Sequence, residues 1–163
     1  MTPDQPRQIR APAYPLSALF APFTFVCFTL ALATDILYWR SEMLMWQNFS
    51  SWLLLTGEVF GGLAILFGII DFMRPSTRPW RPSFAAAGVF VCVLILAFVN
   101  SLVHAGDGWT AVVPMGLTIS AATFVLLLIT LWLSIAHARS ALYTYCAAYA
   151  VTQSTTSTIG RVS

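Results

Sequence analysis

Four side chains capable of acid–base or ligand-binding chemistry lie inside or at the edges of strongly apolar segments. They are two carboxylates, an amide and an imidazole: Asp35, Glu58, Asn100 and His104. Carboxylates and imidazoles can relay protons or anchor a polar ligand. An acid in a membrane segment is costly unless it is paired, protonated or in contact with water. We therefore treat these four residues as a candidate intramembrane polar cluster.

Glu58 is the acid whose position most demands a partner. It lies roughly 10 Å along the helix axis from the nearer end of its apolar segment, a depth of about seven residues. An acid there costs on the order of 2–3 kcal/mol even on a permissive insertion scale. Two interpretations stay open. Glu58 either relays protons or anchors a ligand, or it holds helices together through Asn100 or a hydroxyl of the last apolar segment.

A further acid, Asp71, ends the same apolar segment, and Arg74 follows three residues later. Residues three apart are neighbours on a helix surface, so this spacing predicts an ion pair at the helix end. The three cysteines Cys27, Cys92 and Cys146 lie far apart and show no metal-ligand spacing. The sequence therefore predicts no metal site.

The composition places these side chains in a membrane protein. The chain has 163 residues, of which 58% are hydrophobic and 9% charged, and its mean hydropathy is +0.79. Soluble domains carry about a quarter charged residues. Four apolar segments, over residues 16–38, 51–73, 84–103 and 112–136, reach the roughly 20 residues that span a bilayer. Since hydrocarbon offers the backbone no partners, we expect an all-α integral membrane four-helix bundle.

Arginine supplies all eight basic residues of the chain, and its distribution predicts the orientation. All the arginines except Arg40 lie near the termini or between the second and third segments. Positive residues favour the cytoplasmic side, so both termini should be cytoplasmic. We expect a cytoplasmic N-terminal segment over residues 1–13, a transmembrane domain over residues 14–137 and a cytoplasmic tail over residues 138–163 with a loose end.

Small residues in the second segment predict how the helices pack. Gly57, Gly61 and Gly68 lie on one face with Ala64 between them, and Ser120 belongs to a matching stripe in the fourth segment. Small side chains let membrane helices approach closely. We therefore expect these glycines and Ser120 to form helix contacts.

Several function classes find no support in the sequence. A formal charge of +2 is too small to indicate a nucleic-acid partner, and hydrolase, phosphate-binding and dinucleotide motifs are missing. His104 and His137 are predicted at opposite ends of the bundle, about 30 Å apart in depth, so they do not ligate one haem together. We expect no cofactor held by this chain alone.

The first two segments resemble a bacterial four-helix membrane family, domain of unknown function 2231. The stretches that carry the likeness are YPLSALFAPFTFVCFTLALATDILYW and WLLLTGEVFGGLAILFGIIDFMR. The matching elements are Tyr14-Pro15, Pro22, Asp35 to Trp39, Gly68 to Phe72, and Asn100. The resemblance covers roughly residues 14–137. It implies a multi-pass protein in contact with the lipid bilayer of a bacterial inner membrane.

The same resemblance suggests a role and a difference from the relatives. Tyr14 stands where the family opens with a histidine, and Phe84 stands near the expected position of another. Any cofactor that those histidines hold in relatives is therefore not expected here. Relatives accompany cytochrome c and dehydrogenase domains, which implies a non-catalytic accessory or anchor subunit with a periplasmic or membrane redox partner. The alternative is a small proton-coupled carrier or pore that uses Glu58 and Asp35.

Overall fold

The computed structural model describes residues 14–75, 77, 81–106 and 112–162. Four helices account for nearly all of them: α1 (Ser17–Ser41), α2 (Leu44–Met73), α3 (Phe84–His104) and α4 (Met115–Val162). The described residues contain no strand. The N-terminal segment predicted over residues 1–13 lies outside the described part of the chain.

Each of the four helices contains a stretch that is long and apolar enough to cross a membrane. These stretches are Ser17–Ser41, Leu44–Met73, Phe84–His104 and Met115–Thr144. The fold class predicted from the sequence is thereby confirmed, and the protein is a multi-pass membrane protein. The predicted orientation of the termini stays a prediction.

The connection between α1 and α2 is short because Glu42, the residue directly after α1, has a left-handed backbone conformation. Glu42 has φ 55°, and its backbone N–H donates to the carbonyl of Tyr38 at 2.8 Å. A left-handed residue directly after a helix turns the chain away from the helix axis. Met43 is extended, and α2 starts at the next residue. Helices joined so closely pack as antiparallel neighbours.

Each helix packs against its neighbours in chain order, and α4 closes the ring against α1. We use two names for the ends of the bundle. The hairpin end is where α1 ends, α2 begins, α3 ends and α4 begins. The arginine end is where α1 begins, α2 ends and α3 begins. A shared core fills the middle, with fully or nearly fully buried side chains from all four helices: Phe28, Leu54, Val93, Ala97 and Leu127.

Two of the predicted contact glycines lie where helices approach most closely. A Cβ added at Gly57 would overlap the Phe28 ring of α1, and one at Gly61 would overlap Leu94 of α3. A Cβ at Gly68 would lie 3.8 Å from the Cβ of Ser17, which is an ordinary contact. Gly57 and Gly61 therefore hold α2 close against α1 and α3, whereas Gly68 makes only an ordinary contact with α1.

The C-terminal tail differs from the expectation of a loose end, because α4 continues through it to Val162. At 48 residues, α4 is roughly 72 Å long at 1.5 Å per residue. The stretch from residue 117 to residue 159 contains neither glycine nor proline. With no such breaker after the spanning part, the helix has no local reason to stop.

The close contact between Gly57 and Phe28 predicts different effects for alanine substitutions at Gly57 and at Gly62. Gly57→Ala should lower the free energy of unfolding by about 1–3 kcal/mol, because the added methyl overpacks the contact with Phe28. Gly62→Ala is the control, since a Cβ there meets nothing within 4 Å. The control should be neutral or slightly stabilising, as alanine favours helix more than glycine does. Unfolding in detergent micelles, followed by circular dichroism, measures both. Equal effects of the two substitutions would contradict the packing role of Gly57.

Candidate functional site: a buried carboxylate shared by four helices

The carboxylate of Asp35 on α1 is completely buried and contacts a polar side chain from every other helix. The hydroxyl of Ser50 on α2 donates to Oδ1 at 2.5 Å, and that of Ser120 on α4 donates to Oδ2 at 2.5 Å. Nε2 of His104 on α3 lies 2.9 Å from Oδ1. One carboxylate therefore connects α1 with all three other helices.

Asn100 completes this group through both its side chain and its backbone. Its Nδ2 donates to the hydroxyl of Ser120 at 2.7 Å, and its backbone oxygen lies 3.0 Å from His104 Nδ1. Its own Oδ1 has no hydrogen-bond partner among the described residues. We call the five residues Asp35, Ser50, Asn100, His104 and Ser120 the Asp35 cluster.

The geometry sets the number of protons that Asp35 and His104 share. A carbonyl oxygen can only accept, so His104 Nδ1 carries the hydrogen that bonds to the backbone of Asn100. Nε2 faces Asp35 Oδ1, and two lone pairs would repel each other there. One proton must therefore lie between the imidazole and the carboxylate. The pair is then neutral overall, either as an ion pair or as two uncharged groups.

The depth and burial of the Asp35 cluster explain why it needs so many internal bonds. Asp35 lies roughly 9 Å from the end of α1, six residues at 1.5 Å each. Its cluster partners are at most 4% exposed. Removing charges from water is expensive unless the groups are paired and hydrogen-bonded. Two hydroxyls and an imidazole around one carboxylate meet that requirement.

Serine, histidine and aspartate are all present, but not in the arrangement of a nucleophilic triad. Such a triad places the serine on one ring nitrogen and the aspartate on the other. Here Ser50 Oγ lies 3.4 Å from Nε2, the same nitrogen that faces Asp35. The other nitrogen is held by a backbone carbonyl. The geometry is therefore that of a link between helices.

Glu58 lies apart from this cluster. Its Oε1 accepts a hydrogen bond from the hydroxyl of Ser101 on α3 at 2.6 Å, and both residues are half-buried. Within the described part of the chain, Glu58 makes no hydrogen bond to Asp35, Asn100 or His104. The structure thus brings together three of the four residues grouped from the sequence. The fourth joins α2 to α3 through the residue next to Asn100.

Two members of the Asp35 cluster have roles that sequence reasoning missed. The sequence predicts Ser120 as a packing residue, and in the structure it also donates to Asp35. Ser50 precedes the predicted second segment, but α2 begins at Leu44 and includes it. A signal for Ser50 exists in the sequence: it precedes Leu54, Gly57 and Gly61 at spacings of four, three and four. This periodicity continues the buried face of α2.

Asp71 lies at the arginine end and holds the start of α1. Its Oδ2 accepts from the backbone N–H and the hydroxyl of Ser17, both at 2.9 Å. Leu16, at the N-cap of α1, provides no side-chain bond, so Asp71 of α2 caps α1 from outside. The carboxylate also complements the positive end of the helix dipole. Arg74 is exposed and makes no salt bridge to Asp71 within 4.0 Å among the described residues, but its charge still attracts that carboxylate.

A family model described as "Predicted membrane protein (DUF2231)" matches residues 13–141. The chain belongs to this family. The resemblance noted in the first two segments is confirmed over most of the chain. In this DUF2231 protein, Asp35 and Asn100 lie in the Asp35 cluster, and Asp71 caps α1. Neither the curated proteins nor the solved structures give a match to it.

The Asp35 cluster of this DUF2231 protein yields a prediction on stability. Asp35→Asn should lower the free energy of unfolding by about 3–5 kcal/mol, because it removes one partner of a buried pair. Glu42→Gln changes an exposed acid to an amide in the same way. That control should stay within about 0.5 kcal/mol of the native chain. Unfolding in detergent micelles compares them, and a loss below about 1 kcal/mol for Asp35→Asn would contradict the proposed link.

Proposed function

We propose that the protein is a non-catalytic accessory or anchor subunit of an electron-transfer complex in a bacterial inner membrane. The observation that carries the proposal is the burial of the Asp35 cluster. Its carboxylate has both oxygens occupied by other helices and is 0% exposed. The buried pair of Asp35 and His104 therefore links helices, and we place the protein's function on its surface.

That surface suits a subunit embedded among lipids and other membrane helices. Large apolar side chains are exposed along all four helices, including Phe23, Leu66, Ile95 and Trp132. Trp39 and Trp52 are more than half exposed near the hairpin end, where tryptophan favours the membrane interface. The redox partner itself is inferred from the family's association with cytochrome c and dehydrogenase domains.

The alternative of a proton-coupled carrier rests on Glu58. This residue is a half-buried acid in a spanning helix with Ser101 as its hydrogen-bond partner. Asp35 and Glu58 belong to separate hydrogen-bond networks among the described residues. We expect Glu58→Gln to leave proton flux into liposomes unchanged, because the amide oxygen still accepts from Ser101. A loss of flux in this variant would favour the carrier.

The test of the proposed function is a mild-detergent purification of the tagged full chain from its native membrane. We expect a larger species on native gels, haem bands in a reduced-minus-oxidised spectrum, and a redox subunit by mass spectrometry. The Asp35→Asn variant, which should unfold more easily, should lose this partner, whereas Glu42→Gln should keep it. A colourless, partnerless small species would overturn the proposal.

The cytoplasmic orientation of the termini is a separate part of the proposal with its own test. Cys146 lies on the exposed part of α4 beyond the spanning stretch, whereas Cys27 and Cys92 lie within spans. A membrane-impermeant maleimide should label Cys146 in inside-out vesicles and leave it unlabelled in intact spheroplasts. Cys146→Ser should remove the signal. Labelling in intact spheroplasts would reverse the orientation.

A further inference from the structure

A cavity of about 580 Å³ lies between the four helices at the arginine end. Its volume falls within the roughly 300–1,000 Å³ typical of small-molecule pockets. Small residues on three helices make the space, since large side chains at these positions would fill it. We call it the arginine-end cavity, and its lining includes Ala18, Gly68, Asp71, Arg81 and Ala87.

The walls of this cavity are largely apolar, even where α4 contributes hydroxyl groups. Thr130 donates its hydroxyl hydrogen to the carbonyl of Leu126 at 2.9 Å, and Ser134 donates to the carbonyl of Thr130 at 2.8 Å. Both hydroxyl hydrogens are therefore used within their own helix. An occupant would meet hydrocarbon over most of its surface.

Asp71 offers this cavity an acceptor without a partner. The residue is 4% exposed, and both hydrogen bonds from Ser17 go to Oδ2. Its Oδ1 is buried and makes no hydrogen bond of normal geometry with the described residues, and the backbone N–H of Leu16 is a further group directed at the carboxylate. Asp71 lines the cavity. Since buried polar atoms are nearly always hydrogen-bonded in folded proteins, its unpaired oxygen points to a missing donor.

Arg81 offers a matching donor. Its Nη2 donates to the backbone oxygen of Phe72, and its guanidinium carbon lies 4.5 Å from the centre of the Phe72 ring. These contacts fix the guanidinium against the end of α2. Its Nε is buried and has no acceptor among the described residues. The cavity lining therefore holds one unpaired acceptor and one unpaired donor.

We propose that the arginine-end cavity binds a neutral amphiphile with a hydroxyl head and a hydrocarbon body. The hydroxyl would donate to Asp71 Oδ1 and accept from Arg81 Nε–H, and the body would fill the apolar space. Glyceride lipids and hydroquinones both carry such a head. Asp71 and Arg81 carry opposite charges, so the lining has no net charge to favour an ionic head. This site does not depend on the electron-transfer role proposed above.

The test uses the full chain in detergent, titrated by calorimetry with two probes: 1,2-dioctanoylglycerol and tetramethylhydroquinone. We expect saturable binding of at least one probe. Asp71→Asn should weaken it about tenfold, the ordinary worth of one hydrogen bond to a charged group. Binding of the glyceride alone would identify the ligand as a lipid, and binding of the hydroquinone alone would identify it as a quinol. Binding of both would show that the site recognises the hydroxyl head that they share.

Matched substitutions on α2 keep the test decisive even if Asp71→Asn disturbs the fold. Gly68→Leu fills the cavity and should abolish binding, whereas Gly62→Leu faces open space and should leave it unchanged. Circular dichroism checks the fold of every variant. Absence of saturable binding for both probes, or equal binding by the two leucine variants, would overturn the proposal.

Discussion

A buried carboxylate in a membrane protein must have its charge and its lone pairs satisfied within the protein. Asp35 lies inside the bundle, where hydrocarbon surrounds the helices and water is excluded. Its needs are met by Ser50, His104 and Ser120, one side chain from each other helix. The positions of four helices at the hairpin end therefore depend on one group. A shift of any helix would leave a hydrogen bond of the carboxylate unmade.

This constraint also gives the bundle a preferred alignment. Apolar packing against lipid and against other helices is similar in strength, so it specifies register poorly in a membrane. Polar contacts specify register because they require particular atoms at particular distances, a role attested for buried polar groups in coiled coils. In this protein, the pair between Asp35 and His104 joins α1 to α3, which are not consecutive in the ring. Gly57 and Gly61 then allow α2 to lie close to both of them.

The two ends of the bundle differ in a way that follows from their side chains. At the hairpin end, the polar side chains of the Asp35 cluster pack around the Asp35 carboxylate and fill the interior. At the arginine end, Asp71 caps α1, while small residues such as Gly68 and Ala87 leave a cavity. Asp71 and Arg81 line it, and each has a polar atom without a hydrogen-bond partner in the described part of the chain. The hairpin end is therefore filled by polar contacts between helices, whereas the arginine end keeps a cavity beside the Asp71 cap.

The sequence by itself determined the membrane environment, the four spans and the all-α class. These follow from local properties, because the length of an apolar run and the backbone's need for internal hydrogen bonds leave only helices. Tertiary structure decided which polar groups meet. Topology grouped Asp35 with Glu58, Asn100 and His104, but the roles of Ser50 and Ser120 and the separation of Glu58 could not be predicted from it. Those contacts depend on the rotation and depth of each helix, which are set by packing between residues as far apart in the chain as Asp35 and Ser120.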